Sequence, residues 1–173
     1  SEPEYILNFP NKEVKNALLE SLLPAYIEAS ESDSNSFQRK VRNGLRTGNA
    51  ALLMEGVEYV FAAVPYQLHL KKEAYYHTIV YILFKSLGIN VQSEISISTG
   101  RLDATVELLG RVWVIEMKYA EEGDGDALAQ TALRQIIEKD YAFTFKSDPR
   151  PVHLLGVAII KKQVYWKEQK LDA

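Results

Sequence analysis

The sequence predicts a mixed α/β fold, in which helices pack on a mixed β-sheet and a helical segment precedes the sheet. Two patterns indicate this: apolar residues recur at helical spacing over the first 70 positions, and helices then alternate with short strands. The 173 residues are 47% hydrophobic and 25% charged, which excludes overall disorder. Without cysteine there can be no disulfide framework, cysteine-ligated zinc or thiol nucleophile.

The first 70 residues predict mainly helices. A helix spanning 12–28 begins after Asn11, a plausible N-cap, and a second helix at 49–63 stops before Pro65. Between them we expect a polar loop at 29–36. The remaining elements of this part are a short extended segment at 5–9 and a short basic helix at 37–45, ended by Gly48.

The remaining residues predict a sheet with two helices. Turn signals at Thr99-Gly100 and Gly110 separate three strands, and an acidic loop precedes the second helix. Gly88 is well placed to end the first helix. The expected elements are helix 72–87, strands 91–98, 101–109 and 112–119, helix 127–141, a buried strand at 154–161 and an edge strand at 164–170.

Two charged residues stand at the end of the third strand. Because side chains alternate along a strand, Glu116 and Lys118 share a face with Val112 and Val114. Burying either charge alone would be costly. One interpretation is a local ion pair at the end of the sheet.

The neighbouring strand favours a second interpretation. Antiparallel pairing across Gly110 can bring Asp103 opposite the region of Glu116. Two carboxylates that close repel each other unless a divalent cation lies between them, and oxygen ligands suit Mg²⁺. Lys118 could then orient the attacking water or stabilise a pentacovalent transition state.

This set of residues resembles the PD-(D/E)XK nuclease superfamily, the restriction-endonuclease-like fold. Asp103 and the run Glu116-Met117-Lys118 carry the motif, and the helix, three-strand meander, helix and strand at 71–161 match the core of that family. Leu102 replaces the proline of the name motif. A closer likeness is to a bacterial branch whose members follow an AAA-ATPase-like domain, and it rests on segments 66–69, 73–77, 91–94, 100–103 and 132–136.

The resemblance implies an Mg²⁺- or Mn²⁺-dependent enzyme. Asp103 and Glu116 would bind the metal, with the backbone carbonyl of Met117 as a further ligand and Glu73 reaching it through water. It would hydrolyse nucleic acid, with DNA favoured, leaving a 5′-phosphate and a 3′-hydroxyl.

The resemblance also implies roles for two further residues and a domain order. Lys118 would be the catalytic lysine, and Gln135, on the second helix, would support it. Residues 1–70 would connect an AAA-ATPase-like domain to a nuclease core at 71–173. The start without Met, on a segment typical of mid-chain sequence, agrees with that expectation.

Several features have a structural alternative. Glu73 and His77 share a helix face and could be hydrogen-bonded core groups, and Arg101 could clamp a phosphate or pair with Asp103. The basic residues at 39–46 could contact nucleic acid or simply be solvated. The acidic loop lacks the ligand pattern of a calcium loop.

Other function classes remain open or are excluded. A net charge of −3 and the long acidic loop near the site favour, as an alternative, a catalytically silent nucleic-acid-binding or regulatory module, and a third possibility is an interaction domain that oligomerises beside the ATPase. The chain lacks a G-x-x-x-x-G-K-[ST] phosphate loop, so this part cannot hydrolyse ATP by that route. No apolar stretch is long enough for a membrane span, and we expect a bacterial cytoplasmic location.

Overall fold

The computed structural model describes residues 31–63, 73–87, 89–97, 100–108 and 110–171. Within these ranges, the side chains of 31–35, 73–75, 86, 93–97 and 100–103 lie outside the description. The segment predicted at 5–9 and the helix predicted at 12–28 also fall outside the described residues.

In the described part of the chain, three helices precede the sheet. They are α1 (Glu31–Thr47), α2 (Ala50–Ala63) and α3 (Glu73–Ser86). The prediction of a loop at 29–36 was wrong from residue 31 onward, because α1 includes those polar residues. The buried side chains of Phe37, Val41 and Leu45 anchor this helix. Gly48 ends α1 with φ of 72°, as its sequence position indicated.

Five strands form one mixed sheet in the order β1-β2-β3-β4-β5. Their bounds are β1 Asn90–Ile97, β2 Gly100–Leu108, β3 Arg111–Ala120, β4 Val152–Ile160 and β5 Gln163–Leu171. Strands β3 and β4 are parallel, whereas the other neighbouring pairs are antiparallel. The crossover from β3 to β4 contains α4 (Gly125–Glu138) and a 3₁₀ turn (Phe143–Phe145). This architecture confirms the predicted fold class.

Helices cover the sheet on both faces. On one face α1, α2 and α3 share a core with Trp113, Ile115 and Met117 of β3. On the other face α4 packs over Val112 and Val114. Every residue of β4 is buried, as expected for a strand covered on both sides.

Helix α1 is tied directly to the sheet. The indole of Trp113 donates a hydrogen bond to the carbonyl of Leu45 at 3.2 Å, and Nε of Arg111 donates to the carbonyl of Arg46 at 2.9 Å. These bonds satisfy carbonyls in the last turn of α1 that have no partner within the helix. The division into a connector at 1–70 and a core at 71–173 stays a prediction. The described part of that connector packs on the sheet. Within the described ranges, none of the helices is both apolar and long enough to span a bilayer.

Candidate active site

Glu116 is a buried carboxylate in the middle of the sheet. It lies on β3 between two paired strands and is only 3% exposed. Its neighbours on the same face are Val112 and Val114, which pack under α4. A carboxylate at such a position is costly unless nearby groups compensate its charge.

Lys118 supplies one compensating charge. Its Nζ lies 3.9 Å from Oε1 of Glu116, and its side chain keeps 23% exposure. The predicted sharing of one face by these two residues is therefore confirmed. A positive charge on a part-exposed side chain therefore lies beside the buried carboxylate.

Gly156 of β4 allows α4 to approach this part of the sheet closely. It is the partner of Glu116 in the parallel ladder. A Cβ added at Gly156 would lie 2.3 Å from the backbone nitrogen of Leu133 and 2.4 Å from the carbonyl oxygen of Ala129. Only a glycine lets the helix backbone lie directly on the strand here. This contact sets the height of α4 above Glu116.

The close approach brings Gln135 of α4 to Glu116. Nε2 of Gln135 donates a hydrogen bond to Oε1 of Glu116, the same oxygen that faces Lys118. Nε2 also lies 3.4 Å from the hydroxyl of Tyr141. The resemblance implied that Gln135 supports the lysine, and the contact that the structure describes is with the carboxylate.

Asp103 occupies the adjacent position on β2. The antiparallel ladder pairs Ala104 with Ile115, and the next residues along the two strands are Asp103 and Glu116. In an antiparallel ladder a continued register sets these two positions opposite each other. The side chain of Asp103 is outside the described part, so its role as a ligand stays a prediction.

Glu73 and Met117 complete the predicted set. Glu73 is the first residue of α3, and its side chain is not among those described. One turn later, Tyr76 stacks on Tyr119 near the end of β3 at a centroid distance of 4.7 Å. The start of α3 therefore lies at the same end of the sheet as Lys118. Met117 turns its side chain into the opposite core, which leaves only its backbone for the role predicted.

Two residues of this site were missed by the sequence analysis. Tyr141 had been assigned to the end of the second helix, yet that helix ends at Glu138 and the chain reverses beneath it. Gly156 was read only as part of a buried strand. A glycine inside a strand often marks a close backbone approach, and that signal could have identified it.

Side chains of the basic segment and of the acidic loop form contacts within the fold. In the basic segment of α1, Lys40 pairs with Glu55 at 3.0 Å and Arg42 donates to the carbonyl of Leu87. In the acidic loop, Asp124 caps the start of α4 through the backbone N–H of Ala127. Asp126 pairs with Lys167 of β5.

His77 and Arg101 are the other residues for which the sequence left two interpretations. His77 is half-buried on α3, which covers the face of the sheet opposite Glu116. The side chain of Arg101 is outside the described residues, so neither reading of that residue is tested.

Comparison with known proteins agrees with this geometry. A family model described as the PD-(D/E)XK nuclease superfamily matches residues 71–169, which contain α3, α4 and the sheet except for the last two residues of β5. The chain belongs to this superfamily. No solved structure matches it.

A longer curated relative extends the likeness beyond that model. The chain is 32% identical over 162 residues to an uncharacterized protein in the vnfD 5′ region of Azotobacter chroococcum mcd 1. The alignment covers 91% of this chain and 30% of the relative. The chain therefore spans less than a third of that protein, and the similarity includes residues before the superfamily match.

PD-(D/E)XK nucleases typically use divalent metal ions. Among the residues described, no three histidine, aspartate or glutamate side chains are grouped closely enough to hold a metal. In the same part of the chain Glu116 is the one buried carboxylate, and the continued register of β2 sets Asp103 opposite it. Carboxylate and carbonyl oxygens are ligands that Mg²⁺ and Mn²⁺ accept. The donor set is therefore suitable once Asp103 joins Glu116.

Proposed function

We propose that this domain is a metal-dependent nuclease that hydrolyses phosphodiester bonds of DNA. The observation that carries the proposal is the buried carboxylate of Glu116, held by Gln135 and faced by the part-exposed Lys118. Membership of a nuclease superfamily supports the reaction class. In this proposal Asp103, Glu116 and the backbone carbonyl of Met117 bind Mg²⁺ or Mn²⁺, and Glu73 contributes through water.

The metal, when bound, would neutralise phosphoryl charge and make a bound water a better nucleophile. The residues of the chain have separate tasks. Glu116 is prevented from turning by the hydrogen bond from Gln135, so its carboxylate is already oriented. Lys118 presents a positive charge where negative charge grows on the phosphoryl oxygens during reaction. Its 23% exposure leaves the ammonium accessible to a substrate phosphate.

The test is cleavage of single- and double-stranded DNA and of RNA with Mg²⁺ or Mn²⁺, in parallel with a thermal melt. We expect metal-dependent cleavage of DNA, and a melting temperature that rises with metal because the ion binds only the folded state. Glu116→Gln keeps the shape but removes the charge, and we expect it to abolish cleavage and to reduce the thermal shift.

Asp126→Asn is the matched control, because Asp126 is an exposed carboxylate that pairs with Lys167 of β5. It should cleave as the wild type does. An equal thermal shift in wild type and Glu116→Gln would mean that the ion binds elsewhere. Cleavage of RNA alone would contradict the proposed substrate.

A second candidate is a nucleic-acid-binding or regulatory module without turnover. The net charge of −3 and the exposed acidic residues at 121–124 favour it, since they oppose the approach of a polyanion. Salt-dependent DNA binding without cleavage under any metal condition would favour this candidate over the enzyme.

We also propose that the full-length polypeptide joins this domain to an AAA-ATPase-like domain. Support comes from the resemblance to a branch with that architecture, and from a curated relative that is much longer than this chain. The test is the sequence encoded upstream of residue 1. A G-x-x-x-x-G-K-[ST] motif between a strand and a helix is expected there, and its absence would contradict the arrangement.

A further inference from the structure

We infer that Tyr141 is a positioning residue, whose hydroxyl fixes the amide of Gln135 and through it the carboxylate of Glu116. The inference rests on the proposed function, because it assigns Tyr141 a part in preparing that site. The observation that supports it is that Nε2 of Gln135 contacts both Oε1 of Glu116 and the hydroxyl of Tyr141.

The end of α4 determines where Tyr141 lies. Asp140 follows the helix with φ of 51°, a left-handed conformation that is uncommon for residues other than glycine. The N–H of Asp140 donates to the carbonyl of Ile137 and the N–H of Tyr141 donates to that of Ile136. These two bonds define a Schellman motif, which reverses the chain under the helix.

The reversal buries Tyr141 beneath α4. Its side chain is 5% exposed and packs with Val112, Val114 and Ile136. An ion pair of 2.7 Å between Lys146 and Asp140 supports the left-handed residue from outside. The phenol ring is therefore a rigid part of the core, and its hydroxyl is held at a fixed height near Gln135.

The chemistry of the amide explains why this position matters. An ionised carboxylate accepts hydrogen bonds only, so Gln135 must turn its NH₂ group toward Glu116. The NH₂ group has a second N–H, and the Tyr141 hydroxyl lies 3.4 Å away to accept it. With both N–H groups directed, the amide cannot rotate without losing two contacts. The orientation of Glu116 is thereby tied to the core under α4.

Partners that orient metal ligands typically affect metal affinity by about 10-fold or more. We therefore expect Tyr141→Phe to fold, to raise the Mn²⁺ concentration for half-maximal cleavage about 10-fold, and to lower kcat by a similar factor. The KM for the DNA substrate should not change, because Tyr141 is buried. The phenol ring and its packing are kept in this variant.

Tyr165→Phe is the matched control, because it removes a hydroxyl whose 2.9 Å hydrogen bond to Gln163 of β5 is exposed to solvent. It should leave kcat and the Mn²⁺ requirement unchanged. A readout independent of turnover is the pair of side-chain amide proton signals of Gln135 in the ¹⁵N-labelled protein. One signal should shift in Tyr141→Phe and neither should shift in Tyr165→Phe.

The outcomes separate this inference from the proposed function. Metal-dependent cleavage by the wild type, with an unchanged Mn²⁺ requirement in Tyr141→Phe, overturns the role of Tyr141 and leaves the nuclease proposal intact. A wild type with neither cleavage nor a metal-induced thermal shift overturns both. An amide signal that moves without any change in metal dependence reduces Tyr141 to a structural residue, which also contradicts the inference.

Discussion

Two buried ionisable side chains lie on opposite faces of the sheet, Glu116 under α4 and His153 under α1. His153 is fully buried, stacks on Trp113 at 4.2 Å, and has Glu168 at 2.6 Å from Nδ1 and Arg111 at 3.3 Å from Nε2. Glu116 has a hydrogen bond from Gln135 and, 3.9 Å away, a lysine that reaches solvent.

The difference lies in what the partners connect. Arg111 and Trp113, which contact His153, also bond carbonyls of α1, so this cluster joins a helix to the sheet, while its other partner, Glu168, is 20% exposed. The partners of Glu116 lead outward, through Lys118 to the surface. A polar cluster that bonds two elements together is typical of structural groups, whereas a buried carboxylate beside a part-exposed lysine is typical of a reactive site.

The largest effect that this comparison predicts is a loss of cleavage in Lys118→Ala. We expect kcat to fall by about 100- to 1,000-fold, because the lost charge acts on the transition state. The free energy of unfolding should fall by about 1 kcal/mol, because the ion pair is long and part-exposed and Gln135 still donates to Glu116. Single-turnover cleavage and urea titration measure the two quantities.

Lys167→Ala is the control for that variant, because Lys167 also pairs with an acidic residue, Asp126, but on β5. Its cleavage should match the wild type. If Lys118→Ala cleaves normally, or if it unfolds instead, the outward-directed cluster is structural and the contrast fails.

The next largest effect is on stability, from His153→Ala. We expect a loss of about 3 kcal/mol, because the change leaves a cavity against Trp113 and removes the partner of Glu168. Cleavage per folded molecule should stay within about two-fold of wild type. Urea titration with a cleavage assay below the transition would show this.

Lys170→Ala is the control for His153→Ala, because it changes an exposed side chain at the same level of the sheet. Lys170 is exposed and is the register partner of His153 on β5, so its loss should cost less than about 0.5 kcal/mol. Equal stability losses in the two variants, or a cleavage defect confined to His153→Ala, would contradict the structural role of His153.

The smallest effect comes from a surface pair near the start of β4. Hydrogen bonds from the Arg150 guanidinium, and then from its backbone N–H, lower the pKa of Asp148 to about 2. A lowered pKa stabilises the fold fully above the unfolded value of about 3.9, and this contribution disappears as the pH falls toward 2.

Asp148→Asn should therefore be slightly less stable than wild type at neutral pH. The difference should shrink between about pH 4 and pH 2, as followed by denaturant titration at each pH. A difference that grows on acidification would have the wrong sign. In contrast to the two buried clusters, this pair involves no buried charge and should leave cleavage unchanged.

The strands and their faces could be predicted from the sequence because side chains alternate along them with a fixed period. Glu116 and Lys118 were assigned to one face on that basis, and the ion pair confirms it. Strand β4 was expected to be buried and is. The predicted start of α1 was wrong, because Ser, Asp and Asn are common both in loops and in the first turn of a helix.

The sequence by itself determined the mixed sheet, the order of its elements and the pairing of Glu116 with Lys118, since all three depend on local periodicity and tight turns. Tertiary structure alone decided which groups surround Glu116, although the family resemblance had already assigned Gln135 to the site. Gln135, Tyr141 and Gly156 are 19, 25 and 40 residues distant in sequence from Glu116, and they converge only because a helix crosses back over the sheet. That crossing depends on the space left at Gly156 and on the left-handed turn at Asp140, which are properties of packing that no local pattern specifies.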